Sequence, residues 1–236
     1  MRLLRSRLGR FSAHDGQQLC IWREAHEWTS AELDALLAAS RRLAAKKESR
    51  YDYAPLLLTT ATLGLRISEV LGLRWEDFDR GDDADSATLR VERQWLRTHE
   101  YGPTKTRAGR RTLAFPADLR DALLRLRLSS PYSRNEDPIF AARTGGPLAH
   151  RNATMRGFEA ARDGAGLDAD LTFHDLRHAA ASRLIASGLD DAMVADQIGH
   201  GDSAVTRRVY THVYDRREKM AAVRAALAGV GTAADR

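Results

Sequence analysis

His174-Asp175-Leu176-Arg177-His178, then Gly199-His200, then Val209-Tyr210-Thr211-His212 form the run on which the reading of this chain turns. His174 and Arg177 are three residues apart, so on a helix both project from one face toward one ligand. A guanidinium fork can hold a phosphate while a neighbouring imidazole moves a proton, and the Tyr210 hydroxyl could attack. The local signals are helical. Thr172 stands at an N-cap position, the helix starts near Phe173, and it runs through Leu184 and Ile185 to Gly188. Asp190 or Asp191 caps a short helix with Met193, Val194 and Ile198 that ends at Gly199-His200. A segment from about Ser203 carries Tyr210, and Arg216 to Leu227 reads as a last helix with Met220, Val223 and Leu227 as a docking stripe.

Working back from this run, Thr29-Ser30-Ala31-Glu32 has capping-box spacing and opens a helix to about Ala45, with Leu33, Leu36, Leu37 and Leu43 on one face. A basic turn leads to a second helix, about Asp52 to Leu63, apolar nearly all round and therefore central; Gly64 is placed to end it. Arg66 follows beside Ile67, Val70 and Leu71. A charge so close to a core must be paired, and Glu69 at i+3 can hold it; a simple surface pair is the alternative.

Ala87 to Trp95 and Arg111 to Phe115 alternate as strands, joined by the turn-rich Gly102–Gly109. The pair reads as a hairpin presenting Lys105 near its tip. Pro116 begins an amphipathic helix with Leu119, Leu123 and Leu126. An extended piece and a turn follow at Asp137–Phe140 and Gly146–Leu148. A helix from about Asn152 to Ala165 is expected to bury Met155, Phe158 and Ala161. No long low-complexity linker and no internal repeat interrupts the sequence, so residues 29–228 read as one domain. Residues 1–28, with Arg2, Arg5, Arg7 and Arg10, read as an arm or linker, and residues 229–236 as a tail.

The 236 residues suffice for a full core, and 43% hydrophobic with 29% charged residues is ordinary for a globular protein in water. No apolar run reaches the roughly 18 residues a membrane span needs. The N-terminal basic stretch lacks the apolar block of a secretory signal. A single cysteine, Cys20, excludes an internal disulfide framework and fits a reducing cytoplasm. Lys+Arg outnumber Asp+Glu 37 to 32, for a net charge of +5. That balance permits a polyanionic partner, although an Arg- and Ala-rich composition also follows from GC-rich coding.

Taken together, the residues singled out resemble the tyrosine recombinase (phage integrase) family. The matching motifs are Leu63-Gly64-Leu65-Arg66-Ile67-Ser68-Glu69-Val70-Leu71, Thr104-Lys105-Thr106 before Arg111–Phe115, His174-Asp175-Leu176-Arg177-His178, Ile198-Gly199-His200 and Tyr210-Thr211-His212-Val213. Each is weak alone; five in the family's order, over about residues 29–228, are specific. The resemblance implies an α+β fold, mostly α-helical with a small antiparallel β-sheet, as in the catalytic domain of DNA breaking-rejoining enzymes. It implies phosphoryl transfer to tyrosine without metal, ATP or other cofactor. Tyr210 would attack a DNA phosphodiester to leave a 3′-phosphotyrosine. Arg66 and Arg177 would clamp the non-bridging oxygens, and Lys105 would protonate the leaving 5′-oxygen. His174 would assist proton transfer at the tyrosine, His200 would bond the phosphate, Glu69 would orient Arg66, and His178 would support the helix packing.

The implied partner is double-stranded DNA, bound by a homo-tetramer on two sites, with a monomer when free, in the cytoplasm or on the nucleoid and away from membranes. Full-length members carry a helical core-binding domain upstream, where this sequence has residues 1–28 only. The alternative function is therefore a truncated, non-catalytic DNA-binding or regulatory fragment; a type I topoisomerase of related chemistry is a third reading. Tyr214 and Tyr132 rival Tyr210 as nucleophile. His174, Arg177, His178 and His200 could instead form a metal site, but beyond the helical pair His174 and His178 no third ligand stands out.

Overall fold

The computed structural model describes residues 26, 28–46, 51–83 and 86–227. Most of the N-terminal arm with Cys20, nearly all of the basic turn and the C-terminal tail lie outside the described residues. Helix α1 is Ser30–Ala44, and both halves of its capping box form: Thr29 Oγ1 accepts from Glu32 N, and Glu32 accepts from Thr29 N. Helix α2, Ala54–Leu63, is buried on most of its circumference and stops at Gly64, whose φ of 67° is left-handed. Helix α3, Ile67–Leu71, follows at once.

Next come five short strands. β1 is Phe78–Asp79, β2 Thr88–Val91, β3 Arg93–Trp95, β4 Tyr101–Pro103 and β5 Arg111–Ala114. They form two antiparallel sheets, β1-β2-β5 and β3-β4. The expected single strand from Ala87 to Trp95 thus breaks at Glu92, and its halves take different partners. Leu89 pairs with Leu113, whereas Trp95 pairs with Tyr101, their rings 5.0 Å apart. Alternation cannot reveal the break, because Leu89, Val91 and Trp95 keep one parity across it. Lys105 consequently sits on the loop between β4 and β5, which do not pair with each other. The two-residue β1 gave no periodic signal.

Helix α4, Ala117–Ser129, turns Leu119 and Leu123 inward. A π-helical stretch, Asn152–Glu159, runs into α5, Ala160–Gly164. Phe158 and Ala161 are buried as expected, but Met155 is 45% exposed. The wider π turn takes residues three apart off a common face, which rotates Met155 away from Phe158. The rest is helical: α6, Asp175–Ala186; α7, Asp191–Ile198; α8, Ser203–Val209; α9, Thr211–Leu227. α9 begins five residues before the expected start and docks through Val213 and Tyr214, leaving Met220 and Val223 exposed. No described helix is long and apolar enough to cross a membrane.

Two apolar clusters result. The larger joins α1 to α4, the sheets, the π-helical stretch and the first half of α6. The smaller holds Ala181 and Ile185 of α6 with Val194, Ile198, Tyr210, Val213 and Tyr214. Helix α6 belongs to both, and its first turn, where the His-Arg motif lies, falls at the larger cluster's edge. α6 is rich in alanine (Ala179, Ala180 and Ala181 are all buried), so α2 can lie close against it. At the crossing, a Cβ on Gly64 would come 3.0 Å from Ile198 Cγ2 and 3.3 Å from Ala180 Cβ. Gly64→Ala is expected to lower the free energy of unfolding by about 1–2 kcal/mol from the left-handed backbone alone, and by more through the crowding. Urea unfolding of the two proteins measures it.

Candidate active site

Arg66 sits between α2 and α3 with extended backbone, and Glu69 one turn into α3 binds it twice. Glu69 Oε2 accepts from Arg66 N at 3.0 Å and Oε1 accepts from Arg66 Nη1 at 2.7 Å. The simple surface pair is excluded, because Glu69 is 1% exposed. Arg66 Nη2 donates to Gly199 O at 3.1 Å, and Arg177 Nη1 donates to Gly64 O at 2.6 Å. Each arginine is thus held by the last-turn carbonyl of another helix, α7 or α2, at a left-handed glycine C-cap. Both caps satisfy a carbonyl that a helix end would otherwise leave open.

Asp175 draws the chain into α6 by accepting from Thr172 N and Oγ1, both at 2.7 Å; His174, not Thr172, is the N-cap residue. His174 and His178 meet edge to face, their ring centroids 4.9 Å apart. A 2.7 Å hydrogen bond then joins His178 Nδ1 to the Tyr210 hydroxyl. In this structure the imidazole bonded to the tyrosine is therefore His178, with His174 behind it. Tyr210 is the residue between α8 and α9, and it is 1% exposed. His200, just past the Gly199 cap, bonds Thr206 Oγ1 through Nδ1 at 2.8 Å, and Thr206 O accepts from Tyr210 N.

The electrostatics mark an anion site. Arg177 is 2% exposed; its burial and the nearby Arg66 charge lower its pKa to about 10. Its Nη2 is buried without a hydrogen-bond partner among the described residues. Burial alone would raise the Glu69 pKa, but Arg111 and Arg66 hold it below the usual carboxylate value. Burial, followed by the neighbouring His178 and Arg177, pushes His174 down to about 4; burial with Arg177 and Arg66 does the same to His200. Both imidazoles are neutral at neutral pH and can accept a hydrogen bond or a proton. Burial pushes the Tyr210 phenol well above its ordinary value, against the pull of Arg177. A tyrosine in this setting needs a base and a developing positive field before it can attack.

The structure brings together Arg66, Glu69, His174, Arg177, His178, His200 and Tyr210. Lys105 stands exposed on its loop, outside the hydrogen-bonded cluster. Of the rival tyrosines, Tyr132 donates to Arg143 O at 2.8 Å, away from the motif. Tyr214, one turn beyond Tyr210, carries the guanidiniums of Arg207 and Arg217 over its ring, at 4.9 and 5.5 Å from the centroid. No third metal-ligating side chain joins His174 and His178 among the described residues. Alternation marks Arg111 as a strand residue and names no partner for it. Its signal was its place on the inward face of β5 beside Leu113, since an inward arginine requires partners.

Comparison with known proteins gives a match to the model of the phage integrase family over residues 27–217. An integrase of Streptomyces ambofaciens is 29% identical over 199 residues, which cover 80% of this chain and 49% of the relative. A tyrosine recombinase XerC of a Methylobacterium species is 32% identical over 166 residues, covering 69% and 46%. The chain spans about half the length of the curated relatives it matches. Among solved structures, the Tn1549 transposon integrase in complex with transposon right end DNA superposes with a TM-score of 0.68 at 20% identity, covering 83% of this chain and 65% of that one. The XerH recombinase bound to palindromic difH substrate gives 0.64 at 20% identity, covering 87% and 55%.

The lowered pKa values of His174 and His200 carry a linkage. Their folded pKa values lie below the unfolded ones, so the unfolded chain takes up protons first as pH falls. Stability is expected to rise with pH between about 4 and about 6.5 and to be lost on acidification through that window. His174 keeps an open face to solvent, so His200 should dominate. The urea midpoint of His200→Asn should fall less steeply across this range than that of the parent chain; equal slopes would refute the assignment.

Proposed function

The chain belongs to the phage integrase family, and on that premise we propose that it is the catalytic domain of a site-specific DNA recombinase. It cleaves one strand by transferring a phosphodiester to Tyr210. The bond that forms is Tyr210 Oη to phosphorus and the bond that breaks is phosphorus to the 5′-oxygen. The products are a 3′-phosphotyrosine and a free 5′-hydroxyl, and the reverse reaction seals the strand with no external energy source. The observation that best supports this reading is the Tyr210–His178 hydrogen bond, set in a cluster of arginines held at fixed carbonyls.

The roles follow from the chemistry of each group. With its proton on Nε2, neutral His178 accepts the phenol proton at Nδ1, and His174 sits against it as the next imidazole. Arg66 and Arg177 neutralise charge on the non-bridging oxygens by planar, two-pronged donation, and their anchors are set before the phosphate arrives. His200 hydrogen-bonds the phosphate. Lys105, on a loop outside the cluster, gives its proton to the 5′-oxygen when DNA draws that loop in. Double-stranded DNA is the partner, a tetramer on two sites is the assembly that exchanges strands, and the cytoplasm with its nucleoid is the setting. α9 is the element for exchange between protomers.

A non-catalytic DNA-binding fragment is the second reading, favoured by the burial of Tyr210. A pool of nicked duplexes with randomised core sequence separates the two. The nick lets the 5′ fragment diffuse away and traps covalent adduct. Adduct is expected for the parent chain and for Tyr214→Phe, and none for Tyr210→Phe. Arg66→Ala and Arg177→Ala should each slow adduct formation by roughly 10²–10³-fold. DNA retention without adduct at any concentration would leave the binding fragment as the function.

A further inference from the structure

Arg111 opens β5, and its side chain is 3% exposed, too buried to touch a substrate. Its guanidinium has three separate acceptors. Nε donates to Gln197 O at 2.9 Å, Nη1 to Gly109 O at 2.9 Å, and Nη2 to Glu69 Oε2 at 3.2 Å. Gln197 lies in the last turn of α7, two residues before the carbonyl that holds Arg66 and three before His200. Gly109 ends the loop that carries Lys105, and Glu69 is the carboxylate that holds Arg66. The fit under the α7 turn is tight: a Cβ on Gly199 would lie 2.6 Å from Arg111 Nη1.

We propose that Arg111 is a positioning residue for strand cleavage: it neutralises Glu69, so that Arg66 keeps its charge for the phosphate, and it ties the Lys105 loop and the His200 turn to that carboxylate. With Glu69 alone, Arg66 would enter the site as half of a neutral pair. A second guanidinium on the same carboxylate leaves one net positive charge. Arginine is required because three acceptors lie in different directions around one flat group, which a lysine ammonium on a single stem cannot reach together. The Coulomb effect extends further, since the Arg111 charge also acts on Arg177.

The inference rests on the cleavage reading above, and its test has an arm that does not. Arg111→Lys, Arg111→Met, Glu69→Gln and the double Arg111→Met/Glu69→Gln chain are compared with the parent in single-turnover adduct formation on the randomised nicked pool. Both Arg111 variants should lose about tenfold to a hundredfold in rate, Arg111→Lys the less, with duplex affinity within about threefold of the parent. The double variant should lose less relative to Glu69→Gln than Arg111→Met loses relative to the parent, because only part of the Arg111 effect runs through Glu69. Separately, amide hydrogen exchange on the same chains should quicken at residues 104–109 and 198–200 in Arg111→Met while α1 and α4 keep their protection. Losses that multiply in the double variant, unchanged rates, or exchange unaltered at those residues would each overturn the proposal. If the parent forms no adduct, the cleavage reading fails, and the exchange arm still decides whether Arg111 holds the two segments.

Discussion

One carboxylate organises this molecule. Glu69 is buried between Arg66 and Arg111, and removing it would leave two guanidiniums facing each other without a counter-charge. A buried ion pair is poor evidence of added stability, since desolvation offsets much of the attraction. What it supplies is geometry. Glu69 fixes Arg66 at both the backbone and the guanidinium, and Arg111 extends that fixation to β5 and to the end of α7. Segments more than a hundred residues apart in sequence meet through this one side chain.

The same economy appears at the two glycine C-caps. A helix must end by satisfying its last carbonyls, and here arginines from elsewhere do it: Arg177 at Gly64 and Arg66 at Gly199. The left-handed backbone is thereby linked to the site's charge. A side chain at either glycine would strain the cap, and at Gly199 it would also collide with Arg111. Packing and electrostatics are specified at one point, so neither can drift without the other.

Around this frame Tyr210, the proposed nucleophile, is buried. Tyr210 lies in the smaller apolar cluster, bonded to His178, while Arg177 and Arg66 are tied to the glycine caps at Gly64 and Gly199. Burial raises the phenol's pKa and lowers those of the imidazoles, so each group rests uncharged until an anion enters. Helix α6 spans both clusters and carries Arg177 and His178 on successive positions. It thereby joins the buried Arg177 to the imidazole that is bonded to Tyr210.

Much of this was readable in the linear sequence, because the signals are local. The Thr29 capping box, the stop at Gly64, the Arg66–Glu69 spacing and the Asp190 and Gly199 ends of α7 are interactions between residues a few positions apart, and they form as expected. The spacing of His174, Arg177, His200 and Tyr210 also identified the groups that gather. The sequence could not choose among tertiary partners. It did not show that the strand breaks at Glu92, that the π turn expels Met155, or that Arg111 rather than solvent faces Glu69. Nor did it decide that His178, and not His174, meets Tyr210. Caps and i+3 pairs depend on backbone periodicity, which the chain carries within itself. Which buried donor finds which distant acceptor depends on how the helices stack, and only the folded structure fixes that.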